Sequence, residues 1–196
     1  MRKWITLVLV LGLVAGLNVA PVEAKKRKKK VALESVDSTL FMRMEECGAG
    51  FLSTSDAEDV DCGAETAMLG VELPYAAADG IPFVLDATRP ITGTITMRNF
   101  NQAAGAGNID LQLIVAGSSG GEDVEIGVFE TTYLSLPAMA ETIEYEIQPA
   151  EDLDKKAFDT LTFTVVCGGV IIGVSCVVEH DEPPSQIVVP TWAPKG

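Results

Sequence analysis

The chain has 196 residues and a formal net charge of −14, with four cysteines and a single histidine. That length suits a leader plus one sizeable domain, and one histidine excludes a multi-histidine metal site. The acidic balance disfavours specific nucleic-acid binding and anionic lipid surfaces, and nothing after the N-terminus offers the roughly 20 apolar residues of a spanning helix.

Arg2 and Lys3 precede an apolar run over residues 4–17, which Asn18 and Pro21 interrupt before Val22, Glu23 and Ala24. This is the pattern of a secretory signal peptide over residues 1–24, cut after Ala24, so the mature chain is expected outside the cytoplasm with no transmembrane segment. Lys25, Lys26, Arg27, Lys28, Lys29 and Lys30 follow directly. Positive charge there favours an uncleaved anchor, whereas an even set of cysteines favours export to an oxidising compartment. Residues 25–35 read as a basic disordered linker, because six adjacent cations repel one another and bury nothing. Such an arm releases counterions from a polyanion, which makes a cell-envelope polymer a candidate partner. Residues 1–30 hold eight basic side chains and one acid, so removing their +7 from −14 leaves −21 for residues 31–196.

Residues 36–196 are expected to form a single acidic β-sandwich domain. Leu40, Met42 and Met44 share a parity in a first strand over residues 36–44. Cys47 and Cys62 then bracket a Gly-, Ser- and Asp-rich stretch that supplies little core, so a local disulfide between them is expected, with Cys167 paired to Cys176. Two other pairings of four cysteines remain open on sequence alone. Asp56, Glu58, Asp59, Asp61 and Glu65 crowd this loop as candidate calcium ligands, although the EF-hand spacing is missing and a solvated acidic loop is the alternative. No other cofactor is expected.

Residues 68–73 read as a short strand closed by Pro74, and residues 83–87 and 91–99 as a pair around Thr88, Arg89 and Pro90. In the second of these Ile91, Ile95 and Met97 face inward, with Thr92, Thr94, Thr96 and Arg98 outward. A strand over residues 109–116 and a turn at 117–121 lead to Val124, Ile126 and Val128 on one expected face. Ile143, Tyr145 and Ile147 alternate with Glu144 and Glu146, and residues 151–158 have room for one helical turn. The most apolar stretch of the expected mature chain, residues 160–178, holds two strands. In the first, Leu161, Phe163 and Val165 alternate with Thr160, Thr162 and Thr164; in the second, Ile171, Ile172, Val174, Val177 and Val178 occupy both parities, as on a strand covered from both sides. Pro190 cannot donate to a ladder, which predicts an edge position for residues 186–189.

Roughly nine strand candidates and no amphipathic helix predict an all-β fold: an antiparallel β-sandwich of jelly-roll or immunoglobulin-like type. Two patterns touch on catalysis. Gly117, Ser118, Ser119, Gly120 and Gly121 fit G-x-S-x-G, and Ser119, Asp159 and His180 fall in the chain order of a hydrolase triad. The elbow, however, requires a strand-to-helix turn, and these residues link two strands. Glu144 and Glu146 oppose the apolar parity of their own strand, as the wet face of a sheet does. His180, among acids and before two prolines, reads as a solvated loop residue.

Sugar binding uses aromatic platforms, for which Tyr75, Tyr133 and Trp192 are the candidates, although capping the core is the favoured reading of Trp192. The expected function is an exported, non-catalytic sandwich module binding a cell-surface component or glycan. A structural or assembly module using the strand edge at residues 186–189 is the alternative, and a serine hydrolase a remote one.

Overall fold

A computed structural model describes residues 31–45, 49–54, 64–67, 72–77, 82–98, 106–136, 139–168, 176–180 and 184–196, within a compact unit spanning Val31–Gly196. Residues 1–24, expected to be a signal peptide, the six-residue basic run, Cys47, Cys62, Asp56, Glu58, Asp59 and Asp61 lie outside the described residues.

Thirteen strands are present among the described residues: β1 (Leu33–Glu45), β2 (Ala49–Ser53), β3 (Ala64–Ala67), β4 (Glu72–Ala77), β5 (Phe83–Val84), β6 (Ile91–Arg98), β7 (Gly107–Ser119), β8 (Glu122–Ser135), β9 (Ala140–Ile147), β10 (Ala157–Phe158), β11 (Thr160–Gly168), β12 (Cys176–Glu179) and β13 (Gln186–Pro194). The fold is all-β and sandwich-like, as the sequence predicts, with more strands than the alternation marks. No helix among the described residues is long and apolar enough to cross a membrane. β1 begins at Leu33, so Leu33, Glu34 and Ser35 of the expected linker belong to a strand.

β1 is the corner of the sandwich. Its first part pairs with β13 from Leu33↔Pro194 to Phe41↔Gln186, and its last part with β2 from Phe41↔Ser53 to Glu45↔Ala49. One strand thereby joins a layer of β9, β6, β12 and β13 to a layer of β4, β11, β7 and β8. The layers meet through rings: Tyr145 of β9 stacks on Phe163 of β11 with centroids 5.7 Å apart, and Phe129 of β8 lies 6.1 Å from Tyr145. Ladders are antiparallel except for β2 beside β4, where Phe51 and Leu52 run parallel to Ala76 and Ala77.

Strict alternation makes β11 what its sequence predicts: Leu161, Phe163, Val165 and Cys167 are buried, while Thr160, Thr162 and Thr164 are half-buried on the other face. Burying each such large apolar side chain contributes about 1.5–3 kcal/mol. β12 is buried at every position, Val177 and Val178 included, and Cys176 is bonded to Cys167 with their Cα atoms 6.4 Å apart. The rest of the second expected run, Ile171, Ile172 and Val174, lies outside the described residues.

Three sequence expectations need correction. Residues 186–189 are not an edge, because β13 is flanked by β1 and by β6, with Gln186↔Thr94 through Val188↔Thr92 on the latter side. Pro190 is tolerated because N–H and C=O of one strand residue point the same way. Its carbonyl accepts from Asp86 N at 3.0 Å, so its missing donor faces the side where the β6 ladder has already ended. Pro74 does not close a strand but sits inside β4, opposite Thr164; the β2 ladder reaches only Ala76 and Ala77, leaving that flank of Pro74 without a partner to deny. Val128 does not share the face of Ile126. The β7–β8 register jumps between Val115↔Gly127 and Ala116↔Glu125, so Ile126 is the extra residue of a bulge and parity flips beyond it. The hairpin turn itself is two residues, Gly120 and Gly121, at φ +63° and +86°, values that suit glycine and a primed turn.

Candidate binding groove

The short strands β5 and β10 pair with each other, Ala157↔Val84 and Phe158↔Phe83, and their two phenyl rings stack with centroids 5.2 Å apart. Phe158 is fully buried against β7, where a Cβ on Gly117 would lie 2.5 Å from its ring. Beside this pair runs the end of β13, held by the bridge Leu85↔Thr191. Together they form a groove of about 450 Å³ lined by Val36, Ser38, Phe83, Phe158, Asp159 and Trp192 among others.

Trp192 is half-buried opposite Ser35 and is fixed at both its polar edge and its ring. Its indole Nε1 donates to Asp154 Oδ1 at 2.9 Å, Lys155 Nζ pairs with Asp154 Oδ2 at 2.5 Å, and the same ammonium lies 5.0 Å from the indole centroid. The backbone that presents this pair is a single 3₁₀ turn, Glu151–Leu153, anchored by buried Leu153. Lys155 then adopts φ +62°, a left-handed conformation uncommon for a side-chain-bearing residue, and its N–H is bonded to Leu85 O at 2.9 Å. The hydrogen bonds from Lys155 and Trp192 hold the Asp154 carboxyl below its ordinary 3.8. Asp86 supports the neighbouring turn: burial alone would raise its carboxyl, but hydrogen bonds from Ser35 and Thr88 outweigh that and keep it below 3.8.

The groove therefore offers an oriented indole, apolar walls, and hydroxyl and carboxylate groups at Ser38 and Asp159. An apolar face bordered by a few polar groups is the chemistry that holds a sugar ring, whose C–H faces stack on aromatics while its hydroxyls hydrogen-bond.

The other candidate aromatics are core residues. Tyr75 is fully buried, with its hydroxyl 3.1 Å from His180 Nε2, and Tyr133 is 7% exposed. Neither is a platform, because each stands on the inward parity of its strand, opposite Phe163 and Ile109 respectively. His180 is likewise not a solvated loop residue: β12 carries it directly into the interior, where it is 2% exposed and its carbonyl accepts from Arg43 Nη1 at 2.8 Å.

Of the triad order, only Ser119's turn and Asp159 come together. Asp159 Oδ2 accepts the Gly120 N–H at 2.9 Å and its own N–H donates to Ser118 O, while His180 Nε2 is at Tyr75, whose strand position aligns through Phe163 with Val115 rather than Ser119. Glu144 and Glu146 are exposed on β9, opposite Thr94 and Thr92. Glu65 lies on β3, opposite Val178, and its other expected calcium partners lie outside the described residues. A second groove, along the outer face of β7 and β8, is less suited to a sugar because no aromatic side chain lines it; there Gln112 pairs with Glu130 and Thr132 with Asp110, each at 2.7 Å. Phe83 and Phe158 of the groove, and Asp154 and Lys155, which hold Trp192, are the residues that sequence reasoning missed.

No family model and no curated protein matches the chain. Its fold is similar to part of a CocE/NonD family hydrolase from Staphylococcus aureus, in one crystal structure with a TM-score of 0.56 at 9% identity over 80% of this chain. A second crystal structure of that hydrolase gives 0.55 at 10% identity over 81%. This chain spans 37% of the hydrolase's length, and at such identity the likeness is one of fold alone. A family 11 carbohydrate-binding module from Clostridium thermocellum, in complex with a beta-1,3-1,4-mixed-linked tetrasaccharide, overlaps 81% of this chain and 86% of its own at 12% identity; its TM-score of 0.35 is too low to bear on function.

Proposed function

We infer that this protein is an exported, non-catalytic β-sandwich module that binds a carbohydrate of the cell surface in the Trp192 groove. The observation that carries this reading is the indole held by Asp154 and Lys155 at the wall of a 450 Å³ groove, with the Phe83 and Phe158 pair beside it. Holding the indole in one orientation before the ligand arrives lowers the entropy cost of binding. The disulfide between Cys167 and Cys176 supports an oxidising compartment. The six-cation run at Lys25 to Lys30 supplies a second, sequence-blind attraction to anionic polymers.

Native affinity gels containing soluble mannan, hydroxyethylcellulose or polygalacturonate test the reading. At least one polymer should retard the chain, and Trp192→Ala should abolish the retardation without lowering the melting temperature by more than a few degrees. Equal retardation of the variant, or none by any surface polysaccharide, contradicts it. Deleting residues 25–30 should remove only the salt-sensitive part of binding to polygalacturonate.

A further inference from the structure

Among the described residues, exposed apolar side chains also gather away from the Trp192 groove. Leu134, Leu136 and Met139 are 51%, 37% and 58% exposed, and all three lie where β8 ends and β9 is about to begin. They surround a cavity of about 330 Å³ that is also lined by Met97, Tyr133 and Glu141. This is within the usual size range for small-molecule pockets. Met97, from β6, is almost wholly buried, so the cavity has an apolar floor as well as apolar walls.

Two polar features make the cavity more than a greasy dent. Tyr133 is 7% exposed, and its hydroxyl is buried without a hydrogen bond, a cost that a native structure tolerates where a ligand, ion or water completes the pairing. Glu141 is the charged residue of the lining, with no cation among the lining residues to neutralise it. Burial first, and the Glu141 charge second, push the Tyr133 hydroxyl far above its ordinary range, so it remains a neutral O–H at any working pH.

We propose that this cavity binds a small organic ammonium ion whose hydrocarbon part packs on Leu134, Leu136 and Met139 while its N–H groups donate to Tyr133 Oη and the Glu141 carboxylate. A carboxylate-bearing ligand would meet Glu141 and the −21 charge of residues 31–196 as like charge. A second copy of the chain meets the same repulsion. Met139, unbranched and more than half exposed, is the lining side chain best able to repack around the hydrocarbon part of the ligand. The site shares no residue with the Trp192 groove and does not depend on sugar binding there.

The test titrates the full chain, its methionine methyls labelled with carbon-13, with hexylammonium, hexanol and hexanoate in turn. Hexylammonium should give saturable shifts at Met139 and Met97, hexanol should bind about tenfold more weakly, and hexanoate should not bind. Glu141→Gln should weaken hexylammonium by about tenfold and leave hexanol unchanged. Tyr133→Phe should also weaken the amine while leaving the melting temperature equal or higher, because it removes an unpaired buried hydroxyl. Equal binding of all three probes, or amine binding indifferent to Glu141→Gln, overturns the proposal. So does a concentration-dependent dimer in the unmodified chain that Met139→Glu disperses, which would make the patch a self-interface.

Discussion

Tyr75 and Trp192 are both aromatic residues on strands, both have their polar atom engaged, and only one of them faces a groove. Tyr75 stands on the inward parity of β4, and its hydroxyl meets His180 inside the sandwich. Trp192 lies near the end of β13, where a separate segment reaches across to hold its indole N–H at Asp154. The difference teaches that an aromatic becomes available to a ligand when its polar edge is anchored at the surface, rather than when its neighbours in sequence are polar. The region around Tyr75 should accordingly control stability, and the region around Trp192 binding.

The largest effect expected from this division is on the buried side. Tyr75→Ala should cost about 3–5 kcal/mol, as truncation of a large buried aromatic does, and chemical denaturation would show it as a lower midpoint at unchanged slope. A loss under about 1 kcal/mol would mean that Tyr75 is not packed as described.

Replacing Cys167 and Cys176 together by Ala should cost about 2.5 kcal/mol, from the chain entropy of so short a closed loop, without altering polysaccharide binding. Thermal melts of the double variant check this against the untouched chain under non-reducing conditions.

At the border of the two regions, Gly117→Ala should cost about 1–3 kcal/mol, because the new methyl is driven into the Phe158 ring. Unlike the disulfide variant, it should also weaken binding, since a shifted Phe158 moves Phe83, which is stacked on it at the groove. Affinity gels on the folded variant separate the two effects.

The smallest effect is electrostatic. Asp154 has its carboxyl lowered in the folded chain, so its contribution is complete above 3.8, the ordinary value, and disappears as pH falls through the lower folded value. In the chain lacking residues 1–24 Trp192 is the single tryptophan, and its emission should change on acidification with a midpoint below 3.8. A midpoint above 3.8, or the same transition in Asp154→Asn, would break the link between the carboxylate and the indole.

How much of this could be read beforehand follows the same division. Residues 160–168 announced their strand and its buried face because one face is apolar throughout and nothing interrupts the period. Val128 was misplaced because a bulge at Ile126 depends on how two strands are paired, which a single strand's pattern does not encode. Pro74 and Pro190 misled because proline removes a donor on one flank only, and the flank that needs one depends on the neighbours. Treating Pro74 as a strand end also cut the parity that would have placed Tyr75 inside. Trp192 is legible only as one of three candidate aromatics, with a core cap the favoured reading, and its anchor is not legible at all, since Asp154 lies 38 positions away and reads locally as an ordinary turn acid.

The separation of stability from binding is tested most directly by one paired measurement on Trp192→Ala and its parent: melting temperature and retardation by the polysaccharide that the parent binds. Loss of retardation with a melting temperature within a few degrees of the parent is the expected result. Retained binding, or a collapse in stability comparable to that of Tyr75→Ala, would show that Trp192 is a core residue like Tyr75 and that the groove is not the binding site.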